Sequence, residues 1–155
     1  MKNIKSYKGN LALLNTAKIA FLCSRQVPAD IILKCYDWAI EMRKTGQCVV
    51  GGFHSPLEKD VLHFLLKGKQ PIIIVLARGM KKKIEPELVE GINEGRILII
   101  APFDDNVTRV NSSTANKRNE VMLELADEVT VGYARPESRL QDLLGLYPNV
   151  PKSFL

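Results

Sequence analysis

Five short runs of the chain carry few polar residues: KIAFLCS (18–24), QCVVGG (47–52), PIIIVLA (71–77), RILIIAPF (96–103) and EVTVGYA (128–134). A strand that is apolar at consecutive positions needs cover on both faces, which a parallel sheet between two helical layers provides. The intervening segments show helical spacing of apolar residues, so strands and helices alternate along the chain. This pattern predicts an α/β fold: a doubly wound, mostly parallel, five- to seven-stranded sheet with helices on both faces, Rossmann-like in form.

The helices follow from their boundary residues. Pro28 and Asp30 open one that runs to about Thr45, with Ile31, Ile32, Cys35, Trp38, Ala39 and Met42 inward and Gly46 as its stop. Ser55-Pro56-Leu57-Glu58 forms a Ser-x-x-Glu capping box, with proline where a missing N–H costs nothing. The helix behind it carries an apolar stripe through Leu57, Val61 and Leu65. Glu85-Pro86 opens a short helix closed by Gly95, a further helix is expected from about Asn116 to Asp127, and Ser138 caps a last one through Leu144. Residues 1–17 form a basic lead-in whose Leu11–Leu14 patch suits either an edge strand or a helical turn, and PNVPKSFL reads as a tail. The expectation is a single domain over 1–155 with its core at about 18–147.

A chain of 155 residues, 46% hydrophobic and 25% charged, has the composition of a globular protein with a proper core. The longest apolar runs are too short to span a bilayer, and MKNIKSYKGN has no apolar stretch behind its lysines, so a cytoplasmic protein without a membrane partner is expected. Cys23, Cys35 and Cys48 lack CxxC spacing and read as reduced core thiols. No His/Cys/Asp cluster has metal-ligand spacing. The formal net charge of +5 favours anionic partners through groups such as Lys2/Lys5/Lys8, Arg78/Lys81/Lys82/Lys83 and Lys117/Arg118, although a lysine run equally suits a solvated loop.

Ligands of such sheets bind outside the carboxyl ends of the strands. This directs attention to the loops Ser24–Pro28, Gly51–Ser55, Ala77–Met80 and Ala134–Ser138, with the loop before the Asn116 helix. Gly51-Gly52 lets the backbone turn sharply into a helix N-terminus, where free N–H groups receive anions. Any crossover of this kind needs such a turn; a phosphate site needs it open as well. Ser24 and Arg25 offer a hydroxyl and a guanidinium fork suited to phosphate, or simply an exposed loop. His54 is placed to donate to an anion or act as a base. Lys117-Arg118-Asn119 at the start of a helix opposes the macrodipole, a cost that a bound anion offsets. Asp104-Asp105 is a candidate carboxylate pair. Neither G-x-G-x-x-G nor a P-loop occurs, so no cofactor is expected.

These loops resemble the Rossmann core of the DprA/Smf DNA-processing proteins, within a wider group that includes the Lonely-Guy nucleotide hydrolases. Where that family ends its first strand in Gly-Ser-Arg, this chain has Cys23-Ser24-Arg25. VVGGFHSPLE (49–58) stands in place of V-V-S-G-L-A-R-G-I-D, Arg118-Asn119-Glu120 in place of Arg-Asn-Arg, and Glu137-Ser138-Arg139-Leu140 near a Ser-Gly-Ser-Leu turn. The family's second-loop arginine thus falls on Ser55 and the following glycine on Pro56. The Lonely-Guy motif P-G-G-x-G-T-x-x-E is absent. The resemblance, over about Tyr7 to Leu144, implies the core domain alone, without the helical and winged-helix domains many members carry. It implies a binding module rather than an enzyme, taking single-stranded DNA or a nucleotide by its phosphates, forming a homodimer and loading a recombinase. Ser24, Arg25, Gly51, Gly52, His54, Ser55, Lys117, Arg118, Asn119 and Ser138 are the candidate ligand-binding residues. Two alternatives stand beside this: a small-nucleotide sensor or hydrolase using His54 or Glu58 in the same cleft, and a structural Rossmann protein whose cleft is unused.

Overall fold

The computed structural model describes residues 4–155; residues 1–3, with Lys2 of the basic lead-in, lie outside the described residues. In chain order the strands are β1 (Ser6–Gly9), β2 (Lys18–Leu22), β3 (Cys48–Gly51), β4 (Ile72–Val75), β5 (Ile97–Ala101), β6 (Glu128–Val131) and β7 (Lys152–Phe154). The helices are α1 (Ala29–Thr45), α2 (Pro56–Leu66), α3 (Pro86–Asn93), α4 (Ser112–Leu125) and α5 (Arg139–Gly145), with a 3-10 turn at Leu11–Asn15. The seven strands form one sheet in the order β1-β5-β4-β3-β2-β6-β7. All neighbours are parallel except β1, which runs antiparallel to β5 with Tyr7 opposite Ile100.

Alternate residues of each central strand divide between two cores, as the two-residue strand period requires. Phe21, Val49, Ile72, Ile74, Ile97 and Ile99 pack with Cys35 and Ala39 of α1, Val61 and Leu65 of α2 and Leu88 of α3. On the other face Leu22, Val50, Ile73, Val75, Leu98 and Val129 pack with Val121 and Met122 of α4 and Leu143 and Leu144 of α5. Each fully buried aliphatic side chain contributes about 1.5–3 kcal/mol, so this two-sided cover is what holds the sheet. The doubly wound α/β expectation is met.

Three boundaries differ from expectation. The basic lead-in supplies both a strand and a helical turn: β1 pairs on the sheet edge, and Asn10 caps the 3-10 turn by accepting the Ala12 N–H. The PNVPKSFL tail ends in β7, which extends the sheet beyond β6 with Val131 opposite Phe154. α4 starts at Ser112, not near Asn116. Asn111 Oδ1 accepts the Thr114 N–H and Thr114 Oγ1 accepts the Asn111 N–H, both at 2.9 Å, a capping box built without glutamate. Lys117-Arg118-Asn119 therefore lies in the second turn and not at the helix start. Its opposition to the macrodipole falls away accordingly, because that effect is confined to the first turn.

At the amino-terminal edge of the sheet two cations, Arg96 and Lys18, serve the fold. Arg96 donates to the carbonyls of Leu65 and Leu66, which end α2, and to that of Gln70, at 2.8–3.0 Å. Lys18, buried in β2, donates to the carbonyls of Leu14 and Thr16. Among the described residues no helix is long and apolar enough to cross a membrane. Arg96→Ala leaves three acceptors without their charged donor and is expected to lower the unfolding free energy by about 2 kcal/mol in urea titrations. A midpoint unchanged from the parent protein would show that water replaces the guanidinium at no cost.

Candidate functional site

The chain runs outward from β2 through β3, β4 and β5, then returns to place β6 on the other side of β2. The carboxyl ends of β2 and β6 thus flank the point where strand order reverses, the crevice in which open α/β sheets bind ligands. Ser24 clips the two ends together. Its N–H donates to the Tyr133 carbonyl at 2.7 Å, and its Oγ accepts the Arg135 N–H at 2.8 Å. The Ser24 hydroxyl proton remains available to a ligand.

Above this clip lies a cleft of about 360 Å³ lined by Ser24, Arg25, His54, Ser55, the first turn of α4, Arg118, Asn119 and Arg139. A second cleft of about 730 Å³ adjoins it over the ends of β3, β4 and β5, and both are bordered by His54 and Arg118. Arg118 stands at their junction. The residue is only 6% exposed, and its Nε donates to Asn119 Oδ1 at 2.9 Å. Among the described residues no carboxylate lies within ion-pair distance of its guanidinium. Burial lowers its pKa, opposed by the field of Glu58. A buried charge without a direct partner is costly, and here its surroundings hold it against two clefts.

Gly52 makes that placement sterically possible. A Cβ there would sit 2.1 Å from Arg118 Nη1, so only glycine leaves room for the guanidinium over the backbone. Gly51 has a different task, since its Cβ would meet the ring of Phe53 at 2.4 Å. Neither glycine takes the left-handed conformation expected of a sharp turn; Phe53 does, at φ 49°. The glycine pair thus provides close approach of side chains, and the turn itself falls on an aromatic residue.

Of the expected residues, the structure brings Ser24, Arg25, His54, Ser55, Arg118 and Asn119 to one cleft, with Gly52 under the guanidinium. Gly51 lies buried at the end of β3. Lys117 points to Glu120 at 3.6 Å along the outside of α4. Ser138 caps α5 by accepting the Gln141 N–H and does not line either cleft. Asp104 and Asp105 are exposed and also lie outside both linings. Glu58 lines the smaller cleft, but its carboxylate accepts the Ser55 N–H at 3.1 Å within the capping box of α2.

His54 is exposed, and its pKa is lowered by partial desolvation, then by Arg118 and Lys59. It is therefore uncharged at neutral pH and ready to gain a proton beside an anion. Cys23 borders the cleft, but contact with Cys35 and burial hold its thiol protonated, which disfavours nucleophilic chemistry. Among the described residues no group of three or more His, Cys, Asp or Glu is placed to hold a metal ion.

Sequence reasoning passed over Asn111, Ser112 and Arg139 in the smaller cleft and Arg109 in the larger one. The N-S-S-T run before Asn116 carried the one usable signal, as a capping sequence. With the cap of α4 formed by Asn111 and Thr114, the N–H groups of Ser112 and Ser113 are not used by the cap.

The family model for DNA recombination-mediator protein A matches residues 4–139. The chain belongs to this family. DNA processing protein A from Helicobacter pylori, a protein with a structurally described single-stranded DNA binding mode, superposes with a TM-score of 0.74 at 19% identity, covering 96% of this chain and 69% of that one. The DNA processing protein A of Streptococcus pneumoniae gives 0.73 at 18% identity; the chain spans 52% of its length and is itself 96% covered. A molybdenum cofactor binding protein from Rippkaea orientalis gives 0.62 at 13% identity, over 90% of this chain and 76% of that one. At these identities the likeness is one of fold. No curated protein matches the chain in sequence. Arg25, after β2, and the Arg118-Asn119 pair of α4 meet in the smaller cleft.

The two glycines are expected to respond differently to alanine. Gly51→Ala presses on the buried Phe53 ring and should cost about 1–3 kcal/mol of stability. Gly52→Ala should cost less, since the end of a long arginine can swing into the open cleft. Urea midpoints measure the difference, and equal losses would show that the guanidinium is locked in place by the fold.

Proposed function

We propose that this member of the recombination-mediator family is a phosphate-recognising module for single-stranded DNA. The observation that carries the reading is Arg118: a buried guanidinium without a direct carboxylate partner, between two clefts, held over a glycine. Arginine presents a planar fork of donors that matches phosphate oxygens. Arg25 and Arg139 flank it from other elements, and the first turn of α4 adds backbone donors at its positive end. Together they supply positive charge and directed donors, which is what holding an anion requires. Binding rather than catalysis is the chemistry this arrangement supports. Association as a homodimer and delivery of a recombinase belong to the same reading through family membership.

A second reading has one observation in its favour. The smaller cleft, at about 360 Å³, falls within the size of sites that enclose a small ligand. A free nucleotide held by the same arginines would satisfy it.

Oligo-dT titrated at several salt concentrations distinguishes phosphate recognition from an unused cleft. Neutralisation of about three phosphates predicts a log–log salt slope of about −2. No binding at low salt would sink the reading. Arg118→Met keeps the aliphatic stem and removes the charge, so it should leave stability unchanged or higher. The same change should weaken oligo-dT binding by about 1–3 kcal/mol. Unaltered affinity would remove Arg118 from the site.

The pH dependence follows from His54. Its pKa in the free protein lies below the usual histidine value, and a bound phosphate would raise it. Binding then takes up a proton, so affinity should rise as pH falls from 7 and level off below the free-protein pKa. His54→Gln should flatten the profile, and an identical pH profile in that variant would exclude His54 from contact.

A further inference from the structure

Behind the clip formed by Ser24, two of the three cysteines meet. The pairing of β2 with β6 continues past the strand ends: the Gly132 N–H donates to the Leu22 carbonyl at 2.8 Å and the Ser24 N–H to that of Tyr133 at 2.7 Å. Side chains alternate along an extended segment, so Cys23 points with Phe21 to the face covered by α1, opposite to Leu22. There it packs with Cys35, which is fully buried on α1. The Cys23 thiol donates a hydrogen bond to the Cys35 sulfur. Gly132 makes room for the pair, since a Cβ there would lie 3.0 Å from Cys23 Sγ and 2.8 Å from Cys35 Sγ. Cys48 lies in the core on the other face of the sheet.

The hydrogen bond makes the two thiols unequal. It is the main cause of the raised pKa of Cys23 and of the lowered pKa of Cys35. Cys35 is thus the readier nucleophile but is sealed in the core, whereas Cys23 is half-buried and borders the smaller cleft. An accessible sulfur backed by an activated one is the arrangement of an oxidisable cysteine with its resolving thiol. Packing alone would be served by a small apolar residue at either position.

We propose that Cys23 and Cys35 form an oxidation site, in which a hydroperoxide joins them as a reversible disulfide that disarranges the adjoining anion cleft. The Cys23 sulfur attacks the peroxide oxygen, the O–O bond breaks, and the thiol proton leaves with the alkoxide as an alcohol, or as water from hydrogen peroxide. The Cys35 sulfur then displaces the hydroxyl of the Cys23 sulfenic acid. The S–S bond forms, the S–O bond breaks, and the Cys35 proton leaves in water. The two thiols lose two electrons and the hydroperoxide gains them. Because Cys23 rests protonated, the first step is the slow one. Sulfurs in hydrogen-bond contact must close to about 2.05 Å to be bonded, which draws Cys23 toward α1. Ser24 and Arg25 follow it directly in the chain, and both line the smaller cleft. The pull therefore falls on the Ser24 contacts to Tyr133 and Arg135, and Arg25 shifts relative to Arg118. The effect on the cleft rests on the phosphate reading; formation of the disulfide does not.

Peptide mapping by mass spectrometry after treatment of the folded protein with hydrogen peroxide reads the bond, and oligo-dT titration reads the cleft. The expected result is a cross-linked Cys23–Cys35 peptide and oligo-dT binding weaker by about tenfold, the loss of about one charge-assisted contact. Dithiothreitol should restore both, which separates the disulfide from methionine sulfoxide, a product that needs its own reductases. Cys35→Ala should bind oligo-dT as the reduced parent does and keep that affinity through peroxide treatment. Should that variant fold poorly, Cys23→Ala serves instead, compared with itself before and after peroxide. Absence of the Cys23–Cys35 bond in the treated protein would overturn the oxidation site. The bond without a change in affinity, in a protein whose reduced form binds, would overturn its control of the cleft, as would an equal loss of affinity in Cys35→Ala. Bond formation in a protein that binds no oligo-dT in either state would sink the phosphate reading and leave the oxidation site standing.

Discussion

The guanidinium of Arg118 lying over Gly52 is the contact on which the rest of the site depends. A charge buried to 6% exposure without a direct carboxylate partner is unfavourable in isolation. Several features around it make the placement tolerable. Asn119 accepts from Nε, Glu58 contributes a favourable field, and the missing Cβ of Gly52 opens space against the backbone. Replacing any one of these moves or neutralises the charge. The site is thus a local compromise in stability, held in place by β3 below and α4 above.

The contrast with the opposite edge of the sheet sharpens this. There Arg96 directs Nε, Nη1 and Nη2 to main-chain carbonyls, Arg43 donates to the Phe64 carbonyl, and Lys18 donates to two more. Those cations close helix ends and loops, and their donors are consumed by the fold. At the carboxyl edge Arg118 gives one donor to Asn119 and turns the remainder toward open clefts. The two edges use one residue type for different ends: at the amino edge it binds the chain's own carbonyls, and at the carboxyl edge it faces the place where a ligand would lie.

Much of this was legible in the sequence because the strands are apolar at consecutive positions. PIIIVLA and RILIIAPF permit little other than central parallel strands, and Ser55-Pro56-Leu57-Glu58 marks the start of α2 to the residue. The ends of the sheet were harder to read. β7 is three residues long with Phe154 65% exposed, so no apolar run announces it. α4 begins four residues earlier than its apolar spacing suggests, because its first turn faces the cleft and solvent and contains no core residue. That shift altered the meaning of Lys117-Arg118-Asn119. Cations at a helix start imply an electrostatic anomaly; in the second turn the same residues separate by side-chain direction, Lys117 outward to Glu120 and Arg118 inward. Burial of one arginine is a tertiary fact that spacing alone does not encode.

The departures from the family pattern acquire a physical reading on this structure. Ser55 and Pro56 stand where the family has arginine and glycine, and the capping box consumes the Ser55 and Glu58 N–H groups while Pro56 has none to offer. The first turn of α2 consequently keeps only the Leu57 N–H outside its cap, although a glycine turn leads into it. The start of α4 is different: its cap occupies Asn111 and Thr114, leaving two N–H groups outside the cap, and that of Ser112 belongs to a residue lining the cleft. Arg139 of α5 lines the same cleft as Arg25 and Arg118. The glutamate at position 120 is turned toward Lys117, away from the bound phosphate that the proposal requires. The charge open to an anion thus lies on Arg25, Arg118 and Arg139 around one cleft, and Gly52 serves it by making room for the guanidinium of Arg118.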